Sequence, residues 1–386
     1  MRIAHLIASA DPGWGGPSGV LRGLTAALVA RGHEVAVFTT DAAPGGRRAT
    51  EPPGAGFDPR VAVWQARVDV SRPPYPSIGY MALLARRLRG FDVAHIHGLF
   101  SAPITTALLA ARLAGVPVIL RPCGMLDPWS LSRGGALKAA WWRRLDGPLV
   151  ASAAAMHVST PHEAESVAQA LAALARPGRP LPPIRVAPQG VPPGLAPASP
   201  DSPHPRPYVL FLGRVAEKKG LPLLVAAFAR LIADRPDLDL LIVGPDEHGH
   251  AAEVRSAVAR HGLEDRVRLT GPVFGAAEKS RLFAHAEAFC LPSADENFGV
   301  SLVEAASFGV PLVVTPSVGL APAVLHHGAG LVAPPEPDAL SLALAGVLAD
   351  RARHAAGAIA FAADFTWERR VADVEALYVA AARAAS

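Results

Sequence analysis

The segment at residues 293–304, SADENFGVSLVE, carries two carboxylates whose spacing suits an extended ligand. Glu296 and Glu304 stand eight residues apart, and eight helical residues rise about 12 Å. That span exceeds the roughly 5 to 9.5 Å between the paired carboxyls of a glycosidase. We therefore expect the two glutamates to contact different parts of one ligand. A solvated or capping role for both is the alternative, since helix starts are commonly acidic.

The backbone between these glutamates predicts an anion site. Asn297, Phe298 and Gly299 stand where we expect a helix to open, near Phe298. The first amides of a helix have no intrahelical partner. Together with the helix dipole, these N–H groups can bind a diphosphate.

A second segment, GRVAEKKG at residues 213–220, supplies positive charge just before a predicted helix. The planar guanidinium of Arg214 can form bidentate hydrogen bonds to phosphate oxygens, whereas the ammonium groups of Lys218 and Lys219 act as point charges that neutralise the phosphate. Directed at the same ligand as the amides, these cations would stabilise a nucleotide diphosphate as it leaves in a transfer reaction. An exposed basic turn is the alternative interpretation.

Strands and helices in alternation must position both segments. The first unit has a strand at residues 3–8, a Gly-rich loop, a helix ended by Gly32 and a strand at residues 34–39. Such β-α-β units build parallel sheets. The other predicted strands are 61–63, 92–96, 117–120, 154–159 and 184–187 in the first half, and 208–212, 239–243, 267–269, 288–291 and 312–315 in the second.

This alternation predicts an α/β protein with two doubly wound parallel-sheet domains, which open ligand crevices at the carboxyl ends of their strands. We place the first domain at residues 1–191, a Pro-rich linker at 192–207, the second domain at 208–365 and a final helix at 366–386. We expect the active site in a cleft between the domains.

The overall composition excludes several classes of protein. With 51% hydrophobic and 18% charged residues, the chain is typical of a packed globular protein. A net charge of +4 favours anionic ligands mildly, but no polybasic arm or basic stripe with aromatics indicates nucleic-acid binding. Cys123 and Cys290 form no disulfide framework, and the N-terminus lacks a signal-peptide pattern, so we expect a cytoplasmic protein. Prolines and glycines interrupt the charge-free stretch at 305–325, and no transmembrane helix is predicted.

Taken together, the sequence resembles family 4 of the glycosyltransferases over nearly its whole length. The motifs that carry the resemblance are Gly15-Gly16, residues 31–35, residues 92–98, the pair of Arg214 and Lys219, residues 296–304, residues 309–311 and residues 365–369. The resemblance implies the GT-B fold, in which two Rossmann-like domains face a central cleft. It also implies that the first domain takes the acceptor, the second the nucleotide sugar, and that the final helix crosses back to the first domain.

Residue by residue, the resemblance implies a donor site in the second domain. Arg214 and Lys219 would bind the donor diphosphate, and Glu304 would hold the ribose hydroxyls. Glu296, with the Asn297-Phe298-Gly299 backbone, would hold the donor sugar and its phosphate. Glu296, Arg214 and Lys219 are thus the predicted catalytic residues.

The resemblance also implies an acceptor side in the first domain. There the Gly15-Gly16 loop would lie under the transferred sugar and the acceptor. Residues 121–129, RPCGMLDPW, resemble the HGMLDPW-type stretch of bacterial exopolysaccharide and lipopolysaccharide members, with Cys123 where a histidine is usual. This substitution leaves the identity of the sugar open. The predicted acceptor-side residues are Gly15, Gly16, His97, Cys123 and Gly124. The sequence leaves two alternatives for each of His95 and His97: a contact with the ligand, or packing in the core.

The implied function is metal-independent, retaining transfer of a sugar from a UDP-, GDP- or ADP-sugar to a hydroxyl of a cell-envelope glycan or lipid-linked acceptor. No cofactor and no metal are expected, and we assign no metal role to Asp237 and Asp239 or to the acidic and histidine residues at 246–250. A nucleotide-sugar epimerase on the same scaffold and a non-catalytic nucleotide-sugar-binding partner of another transferase are the alternatives. Two interpretations remain for residues 131–145: the segment contacts the inner face of the membrane peripherally, or it forms a helix whose tryptophans face the core.

Overall fold

The computed structural model describes residues 1–133, 135–178, 180–191, 201–273 and 275–385. The chain divides into two compact units: unit 1 comprises Met1–Gly190 with Trp367–Ser386, and unit 2 comprises Val191–Thr366. Of the predicted linker at 192–207, residues 192–200 lie outside the described residues and 201–207 belong to unit 2.

Unit 1 is built on a seven-stranded parallel sheet in the order β5-β2-β1-β6-β7-β8-β9. Its strands are β1 (Arg2–Ser9), β2 (Glu34–Thr40), β5 (Ala62–Ala66), β6 (Val93–His97), β7 (Val118–Arg121), β8 (Ala155–Val158) and β9 (Ile184–Val186), and β3 (Ala42–Ala43) pairs with β4 (Arg47–Arg48) in a short antiparallel ribbon. Its helices before the crossover to unit 2 are α1 (Gly16–Ala30), α2 (Ile78–Arg87), α3 (Ala102–Ala114), α4 (Pro128–Ser132), α5 (Gly135–Trp141), α6 (Gly147–Val150) and α7 (Pro161–Ala172).

Unit 2 is built on a six-stranded parallel sheet in the order β12-β11-β10-β13-β14-β15. Its strands are β10 (Tyr208–Leu212), β11 (Asp239–Val243), β12 (Val267–Gly271), β13 (Ala286–Leu291), β14 (Leu312–Val314) and β15 (Gly330–Val332). Its helices are α8 (Leu221–Asp234), α9 (Ala251–Arg260), α10 (Ala276–Ala284), α11 (Val300–Ala306), α12 (Ala321–His326), α13 (Pro337–Ala349) and α14 (Arg351–Asp364). The chain then returns to unit 1 as α15 (Trp367–Ala385).

Burial on both faces explains the apolar strand runs. In β10, Tyr208, Val209, Leu210 and Phe211 are all fully buried, as expected for a parallel strand covered by helices on both sides. The prediction of two doubly wound parallel-sheet domains is therefore confirmed. Strand β15 was not predicted from the sequence.

Two local predictions need correction. The helix expected near Phe298 begins at Val300, because Gly299 is its N-cap and has a left-handed φ of 87°. Residues 131–145 do not form one helix: α5 runs into a π-helical turn, Trp142–Asp146. Trp142 is buried at 6% exposure, whereas Leu137 is 77% exposed. Among the described residues, no helix combines the length and apolarity needed to cross a membrane.

Candidate functional site

The basic loop at 213–220 lies at the carboxyl end of β10, one of the two central strands of the sheet of unit 2. Residues Glu217–Lys219 form a 3-10 turn, and Gly220 follows with a left-handed φ of 64°. A Cβ at Gly220 would lie 2.2 Å from the carbonyl oxygen of Pro292. Only glycine therefore lets this loop pack directly against the chain that leaves the neighbouring strand, β13.

The acidic loop after β13 is fixed by backbone hydrogen bonds on both sides. Ala294 N donates to the carbonyl of Lys218 at 2.8 Å, which ties the acidic loop to the basic loop. Glu296 N donates to Ser317 O at 3.2 Å, and Gly319 N donates to Glu296 O at 2.8 Å. The order of the sheet, with β13 between β10 and β14, brings these three loops together.

The predicted catalytic residues form ion pairs across these loops. The Lys219 ammonium contacts the Glu296 carboxylate, and Lys218 Nζ lies 3.2 Å from Asp295 Oδ2. Arg214 Nη1 lies 2.5 Å from Glu247 Oε1, on the loop after β11. Each of these cations therefore has a carboxylate partner.

Positive charge dominates the surroundings of Glu296. Burial alone would raise the pKa of its carboxyl, but Lys219, followed by Lys218 and Arg214, lowers it below its usual value. Glu296 is thus ionised at neutral pH. A diphosphate bound here would compete with Glu296 for the same cations.

Glu304 has a different partner. It lies in α11 and forms an ion pair with Lys279 of α10. Because α11 spans only seven residues, Val300–Ala306, Glu296 lies outside it, and the 12 Å spacing expected for a continuous helix does not apply. The Phe298 side chain is buried at 3% exposure and packs edge-on against Phe365, with ring centroids 5.6 Å apart.

The acceptor-side glycines lie at the start of α1 in unit 1. The chain leaves β1 through a 3-10 turn, Pro12–Trp14, whose first residues are held by the Asp11 carboxylate accepting from Gly13 N at 2.8 Å. Gly15 follows with φ 79° and ψ −138°, and Gly16 begins the helix. The role of these glycines toward a ligand stays a prediction.

His97 lies inside a buried histidine cluster, which we define as His5, His95, His97 and His157. His97 Nε2 is 3.0 Å from His5 Nδ1, and His97 is only 4% exposed. Burial lowers the pKa of every histidine in the cluster. The structure therefore places both His95 and His97 in the packed interior, and an acceptor contact for His97 stays a prediction.

The hydrogen bonds of neutral histidines in this cluster have a defined direction. His157 Nε2 donates to the carbonyl of Ala187 at 2.8 Å, so its Nδ1 accepts from His95 Nε2 at 3.1 Å. His95 Nδ1 must then accept from the hydroxyl of Tyr378 on α15, 2.8 Å away. Sequence reasoning missed Tyr378, because 283 residues separate it from His95.

The cluster also offers nitrogen ligands, since His5, His95 and His97 bring ring nitrogens within 4.8 Å of one another. The neighbouring Arg121, buried at 4% exposure, further lowers the pKa of His95 and His97 after burial itself. That positive charge would also oppose a divalent cation.

Of the acidic residues considered for metal, Asp239 accepts from His204 at 2.6 Å and Arg266 at 2.7 Å.

The Cys123-Gly124 turn is held by a buried glutamate, Glu163 of α7. Glu163 accepts from Gly124 N at 2.8 Å and from Ser159 N at 2.7 Å. Cys123 has a left-handed φ of 56°, and burial raises the pKa of its thiol. A protonated thiol is a weak hydrogen-bond donor, so it replaces a histidine poorly.

Comparisons with known proteins show which families the chain is similar to. Residues 15–183 match a family model described as glycosyl transferase 4-like domain, and residues 196–361 match one described as glycosyl transferases group 1. A D-inositol 3-phosphate glycosyltransferase of Arthrobacter sp. (strain FB24) is 30% identical over 357 residues, covering 85% of this chain and 81% of that protein. A phosphatidyl-myo-inositol mannosyltransferase of Mycolicibacterium smegmatis is 34% identical over 145 residues, covering 37% of this chain and 36% of that protein.

Two solved structures are similar over the whole chain. Sucrose-phosphate synthase from Thermosynechococcus elongatus has a TM-score of 0.74 at 22% identity and covers 100% of both chains. Anabaena Alr3699/HepE in complex with UDP and glucose has a TM-score of 0.71 at 20% identity, covering 100% of this chain and 99% of that one. At these levels of sequence identity, the similarity shows a shared fold only.

Proposed function

The chain belongs to the group 1 glycosyltransferases and has the GT-B fold, and from that premise we propose that it transfers a sugar from a nucleotide-diphosphate donor with retention of anomeric configuration and without a metal ion. The acceptor is a hydroxyl of a cell-envelope glycan or glycolipid, and the reaction takes place in the cytoplasm.

The observation that carries the proposal is the contact between the basic and acidic loops of unit 2. Arg214, Lys218 and Lys219 supply three positive charges within one short loop. That loop packs against the segment bearing Glu296 through the hydrogen bond from Ala294 N to Lys218 O. Such a concentration of cations at the carboxyl end of parallel strands is where a pyrophosphate is expected to bind.

The chemistry follows from this charge. As the acceptor oxygen forms a bond to the anomeric carbon, the bond from that carbon to the diphosphate oxygen breaks, and the electron pair leaves with the diphosphate. Arg214 and Lys219 stabilise the negative charge that develops there. The proton of the acceptor hydroxyl passes to a phosphate oxygen. Glu304 orients the donor by accepting from the ribose hydroxyls.

The names of the relatives guide the choice of acceptors. Inositol phosphate and phosphatidyl-myo-inositol appear in those names, so D-inositol 3-phosphate and phosphatidyl-myo-inositol are the first acceptors to test. Uridine nucleotides are the first donors to test, because a solved structure of the same fold contains UDP and glucose.

The experiment combines a thermal-shift screen with UDP, GDP and ADP and a transfer assay in the presence of EDTA. One nucleotide should raise the Tm, and transfer should persist with the chelator. Arg214→Met and Lys219→Met should each weaken nucleotide binding by about tenfold, the factor for one hydrogen bond to a charged group. Loss of transfer with EDTA would contradict the metal-independent reaction.

A matched pair of variants isolates the role of Arg214. Glu247→Gln removes its ion-pair partner and should leave nucleotide binding equal or up to about fivefold tighter, since exposed pairs contribute up to about 1 kcal/mol. Glu253→Gln, exposed on α9, is the control. Weaker binding by Glu247→Gln alone would contradict a phosphate role for Arg214.

Product analysis separates transfer, which releases a nucleotide diphosphate, from epimerisation, which returns an isomeric nucleotide sugar.

Peripheral membrane contact through residues 131–145 is also part of the proposal. Leu137 and Leu145 are 77% and 44% exposed, and Arg143 and Arg144 are exposed beside them. Apolar and basic side chains together favour an anionic bilayer surface. Leu137→Ser with Leu145→Ser should reduce cosedimentation with phosphatidylglycerol vesicles, and equal cosedimentation would contradict it.

A further inference from the structure

The turn that follows β6, residues 98–101, has an unusual backbone. Gly98 has a positive φ of 92°, and Phe100 has a left-handed φ of 58°. A left-handed conformation is rare for a side chain as bulky as phenylalanine. Strained residues of this kind persist only where neighbouring contacts hold them, and they concentrate at active sites and ligand clamps. The turn begins directly after His97, one of the predicted acceptor-side residues.

One buried carboxyl holds the turn in this conformation. Asp146 Oδ2 accepts a hydrogen bond from Phe100 N at 2.8 Å, and Asp146 Oδ1 accepts one from Thr105 Oγ1 at 2.6 Å. Phe100 belongs to the turn, whereas Thr105 belongs to the first part of α3. Asp146 therefore fixes the turn against the start of the helix that follows it.

The carboxyl of Asp146 is costly to bury. The residue is 0% exposed, and no lysine, arginine or histidine among the described residues forms an ion pair with it. Burial raises the pKa of this carboxyl, although the hydrogen bonds from Thr105, Phe100 and Trp141 lower it. An apolar side chain of similar size would cost less free energy at a buried position that lacks a cation. Stability alone therefore does not explain this residue, whereas the geometry that it imposes on the turn does.

The π-helical turn Trp142–Asp146 brings the carboxyl to this position. Such turns are rare and occur frequently at functional sites. Its end residues, Trp142 and Asp146, are buried, whereas residues 143–145 between them are exposed. The Phe100 ring lies against the same segment, with its centroid 6.2 Å from that of Trp142 and 4.6 Å from Lys138 Nζ. Residues 138–146 therefore hold both the backbone and the side chain of Phe100.

The turn also carries a hydrogen-bonding group that the protein leaves unused. Ser101 precedes α3 as its N-cap residue, but its hydroxyl caps no amide of the helix. The residue is only 9% exposed, and none of the described residues forms a hydrogen bond with its Oγ. Buried hydroxyls without a partner are uncommon. A hydroxyl of a ligand would satisfy this one, since each of the two groups can donate and accept.

We propose that Asp146 is a positioning residue for the acceptor, which deepens the proposed function and rests on it. Through its hydrogen bond to Phe100 N, Asp146 holds residues 98–101 in the conformation that presents the Ser101 hydroxyl to a hydroxyl of the acceptor. Asp146 itself contacts no substrate, and its effect on the reaction passes through the turn.

The test compares variants by steady-state transfer, with UDP-glucose as the donor and phosphatidyl-myo-inositol or D-inositol 3-phosphate as the acceptor. Asp146→Ala should lower kcat/KM for the acceptor by about tenfold to a hundredfold, the scale of a misplaced reacting group, while KM for the donor stays unchanged. Asp146→Asn keeps an oxygen for Phe100 N and places an N–H toward the Thr105 hydroxyl, so it should transfer within about threefold of the unaltered chain.

Thr105→Val is the matched control, because it removes one hydrogen bond from the same carboxyl and leaves the bond to Phe100 N. It should keep kcat/KM for the acceptor within about threefold. Thermal unfolding gives the stability of each variant, and hydrogen–deuterium exchange of residues 98–101 reports on the turn directly. Exchange should be faster in Asp146→Ala than in the control. Equal losses of transfer in the two variants, or unchanged exchange in Asp146→Ala, would overturn the proposal.

Ser101→Ala tests the acceptor contact and does not depend on how well Asp146→Ala folds. It should lower kcat/KM for the acceptor by about fivefold, the factor for one neutral hydrogen bond, without faster exchange of the turn. Transfer equal to that of the unaltered chain would overturn the proposal. Thermal shift with UDP in the same samples tests the donor site separately. Absence of transfer by the unaltered chain would contradict the proposed function and, with it, any role of the turn toward the acceptor.

Discussion

Lys279 of α10 forms an ion pair with Glu304 of α11, the carboxylate that we expect to hold the donor ribose. Their side chains are 25% and 12% exposed, so the pair is partly desolvated. A ribose bound to Glu304 must share this carboxylate with Lys279 or displace it. The pair therefore connects donor binding to the packing of α10 against α11.

Changes at the two residues of this pair should affect donor binding differently. Glu304→Gln removes the charged acceptor and should weaken binding of the nucleotide by about tenfold. Lys279→Met removes only the competitor and should not weaken it. Isothermal titration with the nucleotide found in the thermal-shift screen measures both. Equal losses in the two variants would mean that the pair acts through structure and not through ribose binding.

Gly220 should be indispensable for the arrangement of the two loops. Gly220→Ala adds a Cβ that would lie 2.2 Å from Pro292 O, at a φ of 64°. The matched control is Gly262→Ala, which has the same φ of 64° with nothing within 4 Å.

We expect Gly262→Ala to lower the free energy of unfolding by about 1 to 2 kcal/mol, the cost of the left-handed backbone alone. Gly220→Ala should cost more and should also weaken nucleotide binding, since the Lys219 loop must move. Denaturant unfolding and nucleotide titration check both effects. Identical behaviour of the two variants would show that the close approach to Pro292 is unimportant.

Glu163 should matter for unit 1 beyond capping α7. Glu163→Ala leaves the amides of Gly124 and Ser159 without their carboxylate acceptor, at about 1 to 3 kcal/mol for each buried group. Glu165→Ala, exposed on the same helix, is the control and should change the free energy of unfolding by less than about 0.5 kcal/mol.

If the Cys123-Gly124 turn contributes to the acceptor side, Glu163→Gln should also lower transfer while nucleotide affinity stays unchanged. A steady-state assay with nucleotide titration on the same preparation separates these effects. Unchanged transfer would remove the turn from the acceptor site.

The buried histidine cluster should make the chain sensitive to acid. Burial lowers the pKa of His5 and His157 to about 3 and also lowers the pKa of His95 and His97, with Arg121 and the other histidines adding to the effect. In the unfolded chain these groups titrate near 6.5. The unfolded chain therefore binds more protons below that pH, and stability declines as the pH falls from 6.5 toward 3.

The expected slope is about 1.4 kcal/mol per pH unit for each histidine. Denaturant unfolding at a series of pH values below 6.5 measures it. His157→Gln should reduce the slope by about one histidine's share, whereas His261→Asn, at an exposed position, should leave it unchanged. A slope that His157→Gln does not alter would contradict the assignment to the cluster.

The sequence alone determined the strand and helix alternation of both units and the residue types at the strand ends. The sequence was sufficient to identify residues 213–220 as a basic segment and residues 293–304 as an acidic one, because turn chemistry and periodicity are encoded within a dozen neighbouring residues. The start of α11 was misplaced because it depends on the left-handed backbone of Gly299, which periodicity does not reveal.

Tertiary structure alone decided which charged groups meet. Lys219 and Glu296 are 77 residues apart, and Gly124 and Glu163 are 39 apart; their contacts follow from the order of strands within each sheet. Each sheet pairs strands that are not consecutive in the chain, such as β1 with β6 and β10 with β13, so residues far apart in sequence become neighbours only in the folded unit. The partners of Arg214, Glu304 and His95 could therefore be identified only from the folded units.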